Sequence, residues 1–575
     1  MSKRKSTNTL QSGANKRADD KAIVTIAIDF GTAGTGYAYC FAGSDMIEAK
    51  QPGGQEPRKT LTNLLLNPDG SFKAFGFDAR RIYSESTSGD FFSNYKMLLS
   101  NVGGRYGGVA MAKALNGKRV PLIDVIKQTL LYVKGEALKE CGRALPNGLT
   151  ASECQWVVTV PAIWADEAKG FMRTAAYKAG LIASEDSRRL ILALEPESAA
   201  IACDVVQLVK PGHSFMVLDC GGGTVDITLN RLQSASPLRL DEVAAPSGGP
   251  WGSTFIDGRF EEFVKDLVGE RNLDAVKATP YWIELLENWE GVKTSQSMDD
   301  APRTVNFSPL LEVLDEGLKL SDMVAAFNTE RNTSLKMRGR STIVMDATFV
   351  RDLFKPTTDK IIDHCRHLME EHPVDFIFLV GGFAESDLLK STVISHFDSH
   401  ACKVVVPVRP GLAVLRGAVQ FGMNHDVFAS RIARFTYGLK ISQQYQPGDP
   451  VHDRASLDKF HMLDTPTGKK KYVRGLFAGL VKVGDKLAAG HKAVKNHLSA
   501  VAREQTAVCM SIYATPVGSI DFTTDRTARQ VGLVTIPCTP DQSISLQLEF
   551  GATEILASAY NEDTGQTAEA KLRYD

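Results

Sequence analysis

Two aspartates in this chain stand in the same local setting. Asp29 closes the apolar, β-branched run Ala22-Ile-Val-Thr-Ile-Ala-Ile-Asp29 and is followed by Phe30-Gly-Thr-Ala-Gly-Thr-Gly36. Asp219 closes Phe215-Met-Val-Leu-Asp219 and is followed by Cys220-Gly-Gly-Gly-Thr224. A second apolar run follows each bend, Tyr37-Ala-Tyr-Cys-Phe41 and Val225-Asp-Ile-Thr-Leu229, so both read as strand, glycine-rich turn, strand. At such a bend backbone N–H groups can approach an anion without side-chain interference. The candidates are Gly31, Thr32, Ala33 and Gly34 in the first bend, and Gly221, Gly222, Gly223 and Thr224 in the second. A phosphate chain needs such donors and a divalent cation to offset its charge. Mg²⁺ suits, since it keeps several waters and takes hard oxygen ligands. If two lobes pack pseudo-symmetrically, Asp29 and Asp219 face each other across a cleft and hold hydrated Mg²⁺ through water, while Thr32 and Thr224 donate hydroxyls to phosphate oxygens. A single hairpin of this kind is equally well a tight turn with an incidental acid. Two of them, with a third strand Phe376-Ile-Phe-Leu-Val380 running into Gly381-Gly382, favour phosphate binding.

The hairpins lie 190 residues apart (219 minus 29), which predicts a duplicated lobe. Helical patterns fall around Ala165 to Gly180, Gly258 to Ser297 and Ala347 to Glu371, giving an α/β architecture through about residue 425. From about residue 430 short alternating strands take over, such as Val508-Cys-Met-Ser-Ile-Tyr513 and Ser543-Ile-Ser-Leu-Gln-Leu-Glu-Phe550. The expected organisation is a disordered basic tail over 1–21, a nucleotide-binding lobe I over 22–214, a lobe II over 215–425, and a C-terminal β-sandwich over 430–575 that binds a substrate or partner, with no helical lid. Only a polar stretch near His425 to Arg434 separates the halves.

Composition narrows the function classes. The 575 residues carry 66 Lys+Arg against 67 Asp+Glu, a net charge of -1 that argues against a dedicated nucleic-acid binder. With 43% hydrophobic and 23% charged residues the chain reads as globular, and its apolar runs are too short to span a membrane. The first 21 residues lack the apolar core of a secretion signal. Lys3, Arg4 and Lys5 are read as solvated, with nuclear targeting as the alternative, so a cytoplasmic and also nuclear location is expected. Nine scattered cysteines without a C-x-x-C pair suit reduced thiols, and His364, His367, His396, His400 and Cys402 lack the second ligand pair of a zinc site. No G-x-x-x-x-G-K-[ST] loop, helix-opening dinucleotide fingerprint or Gly-x-Ser-x-Gly elbow is present.

The chain resembles the actin-like ATPase superfamily and, within it, the heat shock protein 70 family. The resemblance rests on Ile28-Asp-Phe-Gly-Thr32, Val158-Thr-Val-Pro-Ala162, Leu194-Glu-Pro-Glu-Ser-Ala-Ala200, Asp219-Cys-Gly-Gly-Gly-Thr-Val-Asp226, Val380-Gly-Gly382 and Phe550-Gly-Ala-Thr-Glu554. Asn94-Tyr-Lys-Met-Leu-Leu99, Gly382-Phe-Ala-Glu-Ser386 and Arg409-Pro-Gly-Leu-Ala-Val414 resemble its divergent heat shock 70 kDa protein 12 branch. This implies a duplicated, ribonuclease-H-like two-lobed ATPase domain with ATP or ADP and Mg²⁺ between the lobes. Lys96 is implied as the catalytic lysine beside the attacking water, with Asp219 and Thr224 at the γ-phosphoryl. Glu195 or Glu197 is the acid that orients water and metal, and the order Glu-Pro-x-x-Ala-Ala favours Glu195. Pro161 is implied as a switch proline, and Lys169 stands where the family has a relaying arginine. Glu290, Lys293, Thr294 and Ser297 resemble the helix around the adenosine, with Glu290, Lys293 and Ser297 on one helical face. Gly248, Gly249, Gly381, Gly382, Phe383 and Glu385 complete the implied nucleotide contacts.

Departures accompany the resemblance. Glu385 stands where the family's adenine-stacking arginine is expected, and a glutamate supplies no cation–π contact. Gly411 replaces an acid and Arg416 an aromatic residue. The acidic, leucine-rich linker of the chaperones is missing between His425 and Phe435. The expected function is a slowly hydrolysing, ATP-binding, chaperone-like protein that presents a peptide or protein client site and takes co-chaperones or exchange factors. The alternatives are a nucleotide-sensing scaffold with little turnover and a small-molecule kinase on the same fold.

Overall fold

The run Val24–Phe30 is buried at every position, and so is its counterpart Ser214–Cys220. Strands that lose both faces need cover on both sides of their sheet, and each lies within one such sheet. The structure is a computed structural model that describes residues 22–54, 56, 58–86, 88–101, 109–203, 205–314, 318–550 and 554–571. The expected tail 1–21, the centre of the Phe550–Glu554 motif and the last four residues lie outside the described residues.

In the first sheet Leu190–Leu194, Cys154–Val160, Val24–Phe30, Gly34–Phe41 and Glu48–Lys50 lie side by side, and Thr60–Leu61 also pairs with Gly34–Phe41. The second runs Lys403–Val405, Phe376–Val380, Ser214–Cys220, Val225–Ala235, Leu238–Gly249, Phe428–Ile432 and Lys486–Ala488. Both follow one plan. The opening strand is antiparallel to its hairpin partner and parallel to a later crossover strand. This repeated topology places Asp29 and Asp219 at equivalent strand ends. Between the sheets lies a core rich in small side chains, including Ala27, Ala193, Ala199 and Ala418. Such residues let helices Glu195–Ala202 and Ala413–Met423 cross closely, and a Cβ at Gly417 would overlap the Ser198 carbonyl.

The helix expected from Gly258 to Ser297 is three helices, Thr254–Val268, Glu270–Lys277 and Tyr281–Ser295. Gly269, at φ 81°, ends the first, and Pro280 precedes the third, where a missing N–H costs nothing. Ser297 therefore lies beyond the helix and does not share a helical face with Glu290 and Lys293. The pattern from Ala347 to Glu371 forms one helix, Ala347–Glu371.

The polar stretch His425 to Arg434 is not a plain separator. Within it Phe428–Ile432 pairs parallel with Leu238–Gly249, and Lys486–Ala488 pairs antiparallel with Phe428–Ile432. Its polar residues disguise a strand because they find partners on other elements: Ser430 Oγ donates to Asp241 at 2.6 Å and Arg431 to Glu197 at 2.9 Å, while the Ile432 N–H donates to Glu242 at 2.6 Å. The remaining C-terminal strands form a five-stranded and a four-stranded antiparallel sheet. One core serves both, with Leu439, Ile512 and Val534 from one and Leu546, Leu548 and Ala557 from the other. Burial alternates along Ile544–Phe550, the signature of a strand with one covered face. No helix among the described residues is long and apolar enough to cross a membrane.

Candidate functional site

The two glycine bends close in the same way. The Gly31 N–H donates to the Gly34 carbonyl at 3.1 Å, and the Gly221 N–H to the Thr224 carbonyl at 2.9 Å. They also meet across the lobes: a Cβ on Gly222 would lie 2.7 Å from that of Ala33, and one on Gly223 would lie 2.5 Å from Thr32 Oγ1. Gly381, at φ 91°, brings the third bend so close that a Cβ would overlap the Cys220 carbonyl and the Asp219 carboxylate. Together the bends line an interlobe cleft of about 1020 Å³, enough for a nucleotide-sized ligand.

Asp29, Asp219, Glu195 and Lys96 gather at the bend end of the cleft. Lys96 sits on the short helix Tyr95–Asn101, and the Tyr95 hydroxyl anchors that helix to Thr129 at 2.7 Å. Its ammonium donates to Glu195 Oε1 at 2.7 Å and lies over the Trp164 ring at 5.3 Å. Of the two acids in the Glu-Pro segment, Glu195 lines the cleft, whereas Glu197 is buried against Arg431. Burial pushes the Glu195 carboxyl up to about 7, against the pull of Lys96. Burial, together with the Glu195 and Asp226 charges, holds Asp219 well above the usual carboxylate range. Burial also raises Asp226, although the Ile163 N–H donates to it at 2.9 Å from the other lobe. Perturbed acids grouped in a cleft are a mark of a functional site.

These hard oxygen donors suit Mg²⁺ in kind. Among the described residues no three His, Cys, Asp or Glu side chains converge to cage an ion directly. The set therefore fits a cation that keeps its waters and meets Asp29 and Asp219 through them.

Beyond Gly381, the cleft is also lined by Glu290, Thr294, Gly382, Phe383 and Glu385. The Phe383 ring is buried and packs 6.5 Å from Phe354, so it belongs to the core more than to a ligand. Lys293 does not line the cleft. It is buried between Asp257, at 2.8 Å, and Glu290, at 2.6 Å, and has no free charge for a base. Glu385 and Gly411 are neighbours: a Cβ at Gly411 would lie 2.7 Å from Glu385 Oε1, so the glycine makes room for the acid. Gly248 and Gly249 sit behind the cleft, paired with Asp226 and Val225. Ser297 is also outside the lining.

Pro161 borders a second cavity of about 230 Å³ that shares Thr32, Lys96 and Thr224 with the cleft. Lys169 is buried on helix Asp166–Lys178 and bound to Asp166 at 2.7 Å. The same helix carries Glu167, which meets Arg529 at 3.0 Å, and Arg173, which holds Glu554. Both partners lie in the C-terminal sheets' portion of the chain.

Several cleft residues escape sequence reasoning: Lys59, Arg58, Phe77, Ser253 and Arg409. Lys59 Nζ lies 2.5 Å from Asp29 Oδ2. Its only sequence signal is a basic pair ahead of Thr60-Leu-Thr-Asn63, which looks like a surface loop. Arg409 is left-handed, at φ 59°, and faces the cleft beside Glu385.

Residues 136–445, more than half of the chain, match the family model described as Hsp70 protein. The chain is 28% identical to heat shock 70 kDa protein 12A of Mus musculus, over 96% of this chain and 91% of that protein. It is 28% identical to heat shock 70 kDa protein 12B of Homo sapiens over the same shares, 96% and 91%. With the chaperone protein DnaK of Psychrobacter cryohalolentis the identity is 27%, over 57% of this chain and 48% of that protein.

Proposed function

Because this chain belongs to the Hsp70 family, in the divergent branch of heat shock 70 kDa proteins 12A and 12B, we propose that it binds ATP and ADP between its lobes and hydrolyses ATP slowly. The observation that carries this reading is the pair of buried Lys96 and cleft-lining Glu195, 2.7 Å apart, beside Asp219 and between two matched glycine bends. Backbone N–H groups of the bends cradle the phosphates, and Thr32 and Thr224 add hydroxyl donors. Lys96 offsets charge at the γ-phosphoryl, and Glu195, once ionised, accepts the proton of the attacking water. When bound, Mg²⁺ adds charge neutralisation, with Asp29 and Asp219 on its waters. The reaction is in-line attack by water and needs no covalent intermediate.

The C-terminal pair of sheets is read as a β-sandwich that receives an extended peptide or a protein partner. Pro161 and Lys169 act as the switch, since the Lys169 helix carries both ion pairs to the C-terminal part. Direct docking of this kind could replace the missing chaperone linker. A second reading, a nucleotide-gated scaffold without turnover, is favoured by Glu385 at the base end.

Single-turnover hydrolysis of ATP with Mg²⁺ by the full-length protein, with Asp219→Asn as control, separates the two. Cleavage lost in the variant supports the ATPase. Nucleotide that binds and is never cleaved supports the scaffold.

A further inference from the structure

Asp29 is held by a lysine that no feature of the glycine bends requires. Lys59 Nζ lies 2.5 Å from Asp29 Oδ2, and that oxygen is buried without any aligned hydrogen-bond donor. The other oxygen, Oδ1, accepts from Thr159 Oγ1 at 3.2 Å. Among the described residues the Lys59 ammonium is therefore the cation paired with this buried carboxylate oxygen, on an aspartate that lines the cleft.

Lys59 is also fixed in place. Its neighbours Thr60 and Leu61 pair with Thr35 and Gly34. Thr62 locks the same segment to the first bend, with its N–H on the Ala33 carbonyl at 2.9 Å and its hydroxyl on the Gly31 carbonyl at 2.7 Å. The aliphatic stem runs along two glycines: a Cβ on Gly36 would lie 3.1 Å from Lys59 Cγ, and one on Gly34 would lie 3.3 Å from Lys59 Cβ. Backbone without side chains at these positions gives the stem its track.

The charge arithmetic gives the lysine a task. Asp29, Glu195, Asp219 and Asp226 face two ammonium groups, Lys59 on Asp29 and Lys96 on Glu195, so these four acids outnumber the two lysines. A polyphosphate entering an acid-rich site meets repulsion that a cation must relieve, and an ammonium is a point charge able to donate to phosphate oxygens.

We propose that Lys59 is a resident cation of the phosphate site, supplying from the protein part of the positive charge that a divalent ion would bring, so that nucleotide binding depends only weakly on Mg²⁺. The inference rests on the nucleotide-binding reading above and adds which residue governs its metal dependence.

The test is the affinity of a fluorescent ADP analogue for the full-length protein, by anisotropy, in Mg²⁺ and in EDTA. EDTA should raise the wild-type Kd by less than about tenfold, and should raise that of Lys59→Met at least about ten times more than that of wild type, with Lys59→Arg restoring the wild-type ratio. A wild-type increase above about tenfold overturns the proposal whether or not the variant folds. So does an equal increase in wild type and Lys59→Met. If wild type binds the analogue in neither buffer, the nucleotide reading itself falls, and this inference with it.

Discussion

Arg173 and Glu554, 381 positions apart in the chain, form a two-pronged ion pair between a helix of the first lobe and the C-terminal part. The guanidinium is almost fully buried and also donates to the carbonyls of Glu185, Ser187 and Leu190. Its geometry is thus set by the lobe before Glu554 arrives. A double-mutant cycle on Arg173→Ala and Glu554→Ala should return a coupling of about 1–3 kcal/mol in denaturant unfolding. Additive effects would mean that the pair does not join the two parts.

Lys96 and Asp219 lie at the bend end of the cleft. Lys96→Ala and Asp219→Asn should each slow single-turnover hydrolysis by about a hundredfold or more while changing nucleotide Kd by less than about tenfold. Parallel losses in binding and cleavage would place both residues in ground-state binding alone.

Glu195 supplies a pH signature. Its carboxyl is raised to about 7 by burial, so it is protonated below that value and cannot take a proton from water. The cleavage rate should rise with pH through about 7 and level off above it, and Glu195→Gln should be slow at every pH. A flat wild-type profile between pH 6 and 8, in rates measured at saturating nucleotide, would remove the base role.

Glu242 offers a test on stability. It is buried beside Glu197 and is pushed up to about 7, chiefly by burial, while accepting the Ile432 N–H. An acid whose folded pKa is raised favours folding least when ionised. Stability should therefore fall between the ordinary value of 4.5 and about 7, and stay level above. Glu242→Gln should gain about 1–3 kcal/mol relative to wild type at pH 8 and much less at pH 5, in chemical denaturation. The same gain at both pH values would exclude titration of this group as the cause.

What could be read from the residues alone was what is local. Asp29, Asp219 and their bends are legible because strand, acid and glycine are contiguous, and the helix Ala347–Glu371 buries residues at helical spacing from Ala347 to Cys365. What escaped depends on distant partners. Lys59 looks like half of a basic surface pair until Thr60–Leu61 adds to the sheet beside Gly34. Lys293 has helical spacing suited to a ligand, yet Asp257, on another helix, consumes its charge. Phe428–Ile432 reads as polar because its partners Asp241, Glu242 and Glu197 lie at least 186 positions upstream of it (428 minus 242), on other elements. Composition cannot reveal a pairing when the complementary half is that remote.

The three residues Lys486–Ala488, lent by the C-terminal part to the seven-stranded sheet, also act as a guard. They cover the outer flank of Phe428–Ile432, whose amides and carbonyls would otherwise form a ready template for strand addition by another molecule. A protein shortened to end just after Ile432 would keep its cleft and lose this cover. Its characteristic failing would be self-association through an uncapped β-edge, and a solubility screen on truncations would find the boundary where that begins.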